Sequence, residues 1–273
     1  MRAAEWVLAV YFVYVALLTG LLRLPSRSQE IAWILAAVIL AIILILAKLK
    51  WEIVRDWFAL AGTLTAYREM NLFSPERHQH RLEQIWIVWD RILLHQAGFQ
   101  RAIESLGPVV PSILELAYLL VYAIAPFALA ALYISYHPER APRLTLYYVL
   151  GTLLAYACFP FFPSEPPRTV FAGMDMPNVT TWFRTSNMFV VGGYGIHSSV
   201  FPSAHVSSAF AAAMGMVHLL PEKPWVGRGM LIYACIVSLA TIYGRYHYAV
   251  DAVAGLAVGL IAAFLIRTLS TRL

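Results

Sequence analysis

The chain has 273 residues, of which 60% are hydrophobic and 13% charged, and its mean hydropathy is +0.68. Soluble domains carry about 25% charged residues, so this composition excludes an ordinary soluble globular protein and points to a polytopic membrane protein. The net charge of +5 contains no basic run suited to nucleic acid and is expected to encode orientation and contact with lipid headgroups.

A helix needs about 20 mainly apolar residues to cross the hydrocarbon core. In chain order, seven stretches meet this requirement: residues 6–22, 31–47, 109–136, 144–162, 203–220, 226–243 and 248–266. The first could pass for a signal peptide. Its apolar run is long for that role, no small-residue cleavage pattern follows it, and further apolar segments do, so it is expected to be a first transmembrane helix. The expected fold is an all-α polytopic transmembrane bundle of about six to seven spans. Residues 1–50 would form N-terminal membrane helices, 51–107 an interfacial amphipathic segment, and 108–273 a catalytic helix bundle. In the middle segment Trp51, Trp57, Phe58, Trp86, Trp89 and Leu93 interleave with Arg55, Asp56, Arg81, Asp90 and Arg91, the pattern of helices lying among headgroups. Asp90 and Arg91 are expected on the solvated or headgroup side of such a helix. Residues 163–202 are rich in Pro, Gly, Ser, Thr and Asn and too polar to span; a connection of that length usually serves as a lid or substrate channel. Cys158 and Cys235 fall inside apolar runs and are expected to be buried free thiols.

Antiparallel threading of the last four spans brings Arg168, Ser203, His205, Arg245, His247 and Asp251 to one membrane face. The opposite face collects Arg23, Arg27, Arg140, Arg143, Lys223, Arg228, Arg267 and Arg272 against Glu30, Glu139 and Glu222. Short basic loops prefer the cytoplasm, although Lys48, Lys50 and Arg55 count the other way. The site is therefore expected on the extracytoplasmic face of the cytoplasmic membrane.

Three clusters meet there. Pro166-Pro167-Arg168 follows the fourth span, and its prolines hold a guanidinium suited to phosphate or carboxylate at a fixed place. Alone, Arg168 would be a snorkelling arginine. Pro202-Ser203-Ala204-His205 opens the fifth span. Ser203 at a helix start reads first as an ordinary cap, yet helix N-termini also bind anions, and a histidine buried on the first turn calls for a function. Finally, His247 and Asp251 stand four residues apart and share a helix face, so the carboxylate can hold one ring nitrogen and leave the other free. Two histidines of which one is backed by Asp fit a nucleophile, His247, and a general acid, His205. Arg168, Arg245 and Ser203 would bind the phosphate oxygens. Two His and one Asp could also ligate a metal, but the arginines favour an anion, and neither a metal nor another cofactor is required. Gly255-Leu256-Ala257-Val258-Gly259 permits close helix packing. His197 could gate the site or simply lie at the surface, and the sequence offers no partner for His78, His80, His95, His137 or His218.

These clusters resemble, in order and spacing, the motifs of the type 2 phosphatidic acid phosphatase (PAP2) superfamily: a Lys…Arg-Pro element, Pro-Ser-Gly-His, and Ser-Arg-x5-His-x3-Asp. The resemblance covers roughly residues 109–266. It implies metal-independent phosphoryl transfer through a phosphohistidine on a lipid phosphate or phospholipid. The chain departs from the pattern at Phe161 for the Lys, Ala204 for the Gly, Ala240 for the Ser and Thr241 for the Arg. The Pro-Pro-Arg and His-Tyr-x2-Asp forms are similar to the inositol phosphorylceramide synthase branch, which implies that a lipid alcohol can replace water as acceptor. A rival class is a transporter with a His/Asp proton relay, which would place its polar residues near the bilayer midplane. The oligomeric state is not encoded in these motifs.

Overall fold

In hydrocarbon an apolar segment must satisfy its own backbone, and an isolated segment can do so only as a helix. The structure, a computed structural model describing residues 1–270, is built from helices; Arg272, counted above on one face, lies outside the described residues. Helices α1 (Ala3–Leu21) and α2 (Ser26–Leu49) form a hairpin that packs on α3 (Glu52–Glu69) and α8 (Ala141–Cys158). Between α3 and α8 lie α4 (Arg81–Arg91), α5 (Phe99–Glu104), α6 (Val109–Leu119) and α7 (Ile124–Ile134). After α8 come α9 (Pro167–Val170), α10 (Trp182–Tyr194), α11 (Ala204–Leu219), α12 (Pro224–Tyr243) and α13 (Ala249–Ser270).

Among the described residues six helical stretches are long and apolar enough to cross a membrane: Ala3–Leu21, Ser26–Leu49, Val109–Ile134, Pro138–Phe161, Pro224–Tyr243 and Ala249–Leu269. The third is broken into α6 and α7 by a 3-10 turn at Leu120–Ala123. Pro126 explains the break, since it donates no bond to the Tyr122 carbonyl and its ring crowds that turn. The expected fifth span is α11, which has only 16 residues. It is enclosed by α8, α12 and α13, so protein and not lipid covers most of its length. Its walls are small residues: Ala209, Ala211, Ala212 and Ala213 are fully buried. Gly255 and Gly259 are required for this packing, because a Cβ on either would collide with the backbone carbonyl of Ser203 or Ser207. Without a strong hydrophobic drive between helices in lipid, such close contact is what holds the bundle.

The polar connection 163–202 is not a bare loop. It contains α10, started by Thr181, whose hydroxyl accepts the Arg184 N–H at 3.1 Å. Trp182 and Phe189 of α10 are exposed, as aromatic residues at a membrane interface are. In α3, Arg55 and Asp56 face α1 rather than headgroups, pairing with Glu5 and Arg2, each at 2.6 Å. Both cysteines are free thiols, but Cys158 is only half-buried and Cys235 is exposed on α12.

Candidate active site

The third cluster forms a tight turn between α12 and α13. Thr241, in the last turn of α12, has a carbonyl that accepts the N–H of both Tyr246 and His247 at 3.0 Å. Arg245 takes the left-handed conformation, φ 62, which is uncommon for a residue with a side chain. Asp251 then sits in the first turn of α13. Its Oδ2 accepts the Tyr248 N–H at 2.9 Å, the acidic half of a capping box, and lies 3.3 Å from His247 Nδ1. An oxygen that accepts a backbone N–H acts as an acceptor here, so Nδ1 carries the imidazole proton and Nε2 is left with its lone pair.

His205, on the first turn of α11, faces this ring. The two imidazole centroids are 5.8 Å apart and the planes meet at 85°. Tyr118 and Tyr122 hold His205 edge-on at 5.3 and 5.2 Å. A 3.0 Å bond from the Ser203 N–H to the Asp251 carbonyl ties the start of α11 to the start of α13. Arg168 arrives on α9, which Pro166 and Pro167 open. Its guanidinium lies 5.5 Å from the Tyr246 ring centre and donates to the Tyr246 carbonyl at 3.3 Å, and its backbone N–H bonds the Arg245 carbonyl at 3.3 Å. Tyr246 in turn stacks flat on Tyr118, centroids 3.8 Å apart.

Arg168, His205 and His247 thus line one cavity of about 60 Å³, room for a few water-sized groups. Tyr67, Tyr122, Tyr156 and Tyr194 are among the aromatic residues of its remaining wall, which also includes Val190, Val191 and Ile196. Among the described residues Arg168 is the one arginine or lysine on that wall. Burial, with the nearby Arg168 charge adding to it, pushes the His247 ring down to about 3. Its neutral form, the form with a free lone pair, therefore persists through the physiological range.

Two expected phosphate ligands are placed differently. Ser203 is fully buried and its hydroxyl accepts the Val206 N–H at 3.5 Å, so it caps α11 and does not line the cavity. Arg245 is also fully buried and off the cavity wall. Its Nη1 is 2.5 Å from Asp90 Oδ2, because the left-handed turn swings the side chain behind His247 toward α4. Asp90, expected among headgroups, is accordingly buried inside the protein. Nor do the two positions at which the resemblance expects cations reach the cavity. Thr241 bonds back to the Ser238 carbonyl at 2.7 Å, and Phe161 is exposed. His197 is exposed. The other histidines do have neighbours: His78 the His197 carbonyl, His80 Glu83, His95 Asp175, His137 Glu139, and His218 Tyr147.

A further set escaped the sequence reading. Glu115 on α6 accepts from Arg184 at 2.8 Å, Asn187 at 2.8 Å and Tyr246 OH at 2.6 Å, all buried. This cluster fixes α10, whose Val190, Val191 and Tyr194 close the cavity. A glutamate inside an apolar span was the available signal.

An all-α membrane bundle with two histidines, one of them backed by a carboxylate, and one guanidinium at a small cavity has the make-up of a phosphatase-type enzyme. Residues 86–265 match the PAP2 superfamily, and the chain belongs to that superfamily. The match begins at Trp86 and so takes in the second half of α4, further upstream than the motif resemblance near residue 109. A 58-residue stretch is 40% identical to a PA-phosphatase related-family protein of Dictyostelium discoideum, covering 21% of this chain and 10% of that relative. No solved structure matches the chain.

Proposed function

We propose that the protein is a lipid phosphate phosphatase working through a phosphohistidine on His247. The observation that carries this reading is the facing pair of imidazoles, 5.8 Å apart, at a cavity shared with Arg168. His247 Nε2 attacks phosphorus; the P–N bond forms as the P–O bond to the lipid breaks. His205 gives its proton to the departing lipid oxygen, and the negative phosphoryl group beside it favours its protonated form. Water, deprotonated by His205, then attacks phosphorus from the open side. The P–N bond breaks and His247 is restored. Asp251 keeps the reactive tautomer and offsets the charge that develops on the ring, while Arg168 binds the non-bridging oxygens. We assign residues 1–50 to N-terminal membrane helices, 51–107 to interfacial helices and 108–273 to the catalytic bundle. The site is assigned to the extracytoplasmic face of the cytoplasmic membrane.

A second reading, a lipid headgroup phosphotransferase of the inositol phosphorylceramide synthase type, is favoured by the lone guanidinium. A phosphodiester carries one charge where a monoester carries up to two, and Arg168 with a tyrosine-lined wall suits the former. Incubation of the purified protein with labelled lipid phosphate, with and without a ceramide-like or diacylglycerol-like alcohol, separates the two. Free phosphate identifies the phosphatase. Lipid product that depends on the added alcohol, without free phosphate, identifies the transferase. Acid-labile phosphate on His247, absent in His247→Ala, is expected in both, and turnover is expected to survive a chelator. Full turnover in His247→Ala overturns the mechanism.

A further inference from the structure

Helix α4 buries two acids on one face and exposes apolar side chains on the other. Its apolar Ile85, Val88 and Trp89 are exposed, while Glu83, Trp86, Ile87 and Asp90 are buried. The buried set has the i, i+3, i+4, i+7 spacing of one helix face, so two acids point into the protein on purpose of packing and not of solvation. Charged side chains are almost never fully buried unless paired, and each of these is paired with a segment of the site. Glu83 Oε1 accepts the Glu165 N–H at 3.0 Å, at the entrance to the Arg168 segment. Trp86 stacks on Phe201, just before Ser203, with centroids 5.3 Å apart, and meets Tyr248, just after His247, in a tilted contact at 5.5 Å. Asp90 brackets the His247 turn: Oδ2 takes Arg245 Nη1 at 2.5 Å and Oδ1 takes the Ala249 N–H at 2.9 Å. Among the described residues Arg245 Nε and Nη2 have no hydrogen-bond partner, so Asp90 is the anchor of that guanidinium.

We propose that α4 is the template that sets the three site segments in register, and that Asp90 is a positioning residue which fixes the His247 ring through Arg245 and Ala249. The inference rests on the phosphoryl-transfer reading of His247. By pinning the residues two before and two after the histidine, Asp90 fixes both ends of the turn, and with them the distance from Nδ1 to Asp251 and the aim of Nε2. A supporting shell of this kind decides whether a site is tight or loose.

The test uses the full-length purified protein and the variants Asp90→Asn, Asp90→Glu and the double variant Asp90→Leu/Arg245→Met. The readouts are kcat, KM, thermal unfolding, and the His247 ring nitrogens by 15N NMR of histidine-labelled protein, assigned by their loss in His247→Ala. Asp90→Asn is expected to lower kcat about 100-fold, the cost of a misplaced reacting group, with KM little changed and the Nδ1 resonance shifted. Asp90→Glu is expected to restore part of kcat. The double variant removes both buried charges, so it is expected to regain stability but not kcat. Recovery of kcat together with stability would show a merely structural pair and overturn the proposal. So would an unshifted Nδ1 resonance in Asp90→Asn, whatever the turnover. If the wild type neither turns over lipid phosphates nor labels His247, the phosphoryl-transfer reading falls instead, and the Nδ1 resonance still decides whether Asp90 positions the ring.

Discussion

Arg184 of α10 sets its Nη1 2.8 Å from Glu115 Oε1 on α6, and both side chains are more than nine-tenths buried. This pair joins the helix covering the cavity to the bundle beneath it. Arg184 also donates to the Gly244 carbonyl at 3.2 Å, so the cover and the His247 turn share one anchor. Arg184→Met strips the main cation from a buried carboxylate and is expected to cost about 3–5 kcal/mol. Thermal unfolding measures the loss, and limited proteolysis is expected to cut within residues 182–194 before the rest of the chain. Arg184→Met/Glu115→Met is expected to recover much of the stability.

His205 as the general acid makes its importance depend on the leaving group. On a lipid phosphate, His205→Ala is expected to lower kcat about 10²- to 10⁴-fold. On a nitrophenyl phosphate, whose phenolate needs no proton to leave, the loss in formation of the phosphoenzyme is expected to be far smaller. Burst kinetics with the two substrates measures the difference. An equal loss on both would remove His205 from that role.

The depressed His247 ring fixes a pH dependence. A nucleophilic imidazole is lost by protonation, and burial with the Arg168 charge holds that event near pH 3 against an ordinary 6.5. The acid limb of kcat/KM set by His247 is therefore expected well below pH 6. Arg168→Gln removes a cation that repels the proton and is expected to move the limb upward. The same ring affects stability. The unfolded chain takes up a proton as pH falls through 6.5 and the folded ring does not until near 3. Its contribution is complete above 6.5 and declines between those values. Thermal unfolding across that range measures it.

Gly255 faces the Ser203 carbonyl at a separation that leaves no room for a Cβ. Gly255→Ala is expected to cost about 1–3 kcal/mol through overpacking. It is also expected to lower turnover, because the start of α11 carries His205 and is tied by Ser203 to Asp251. Gly192→Ala, at an open position on α10, serves as the comparison and is expected to change stability little.

Composition and periodicity alone determined the all-α membrane bundle, because backbone satisfaction in hydrocarbon leaves an apolar segment of about 20 residues little choice but helix. They also placed Arg168, His205 and His247 together, because helices that run antiparallel must return their ends to the same face. Helix packing alone decided the rest. Pro126 breaks the third span, and the enclosed α11 is short. Ser203 and Arg245 have chemistry that suits phosphate, yet one caps a helix and the other turns its back on the cavity. That choice depends on the backbone angle at Arg245 and on a partner 155 positions away in Asp90. An acid on an amphipathic helix has the same local pattern whether it meets headgroups or a buried arginine. Only the docking of α4, which turns Glu83 and Asp90 inward beside Trp86 and Ile87, distinguishes the two, and that orientation is a property of the whole bundle.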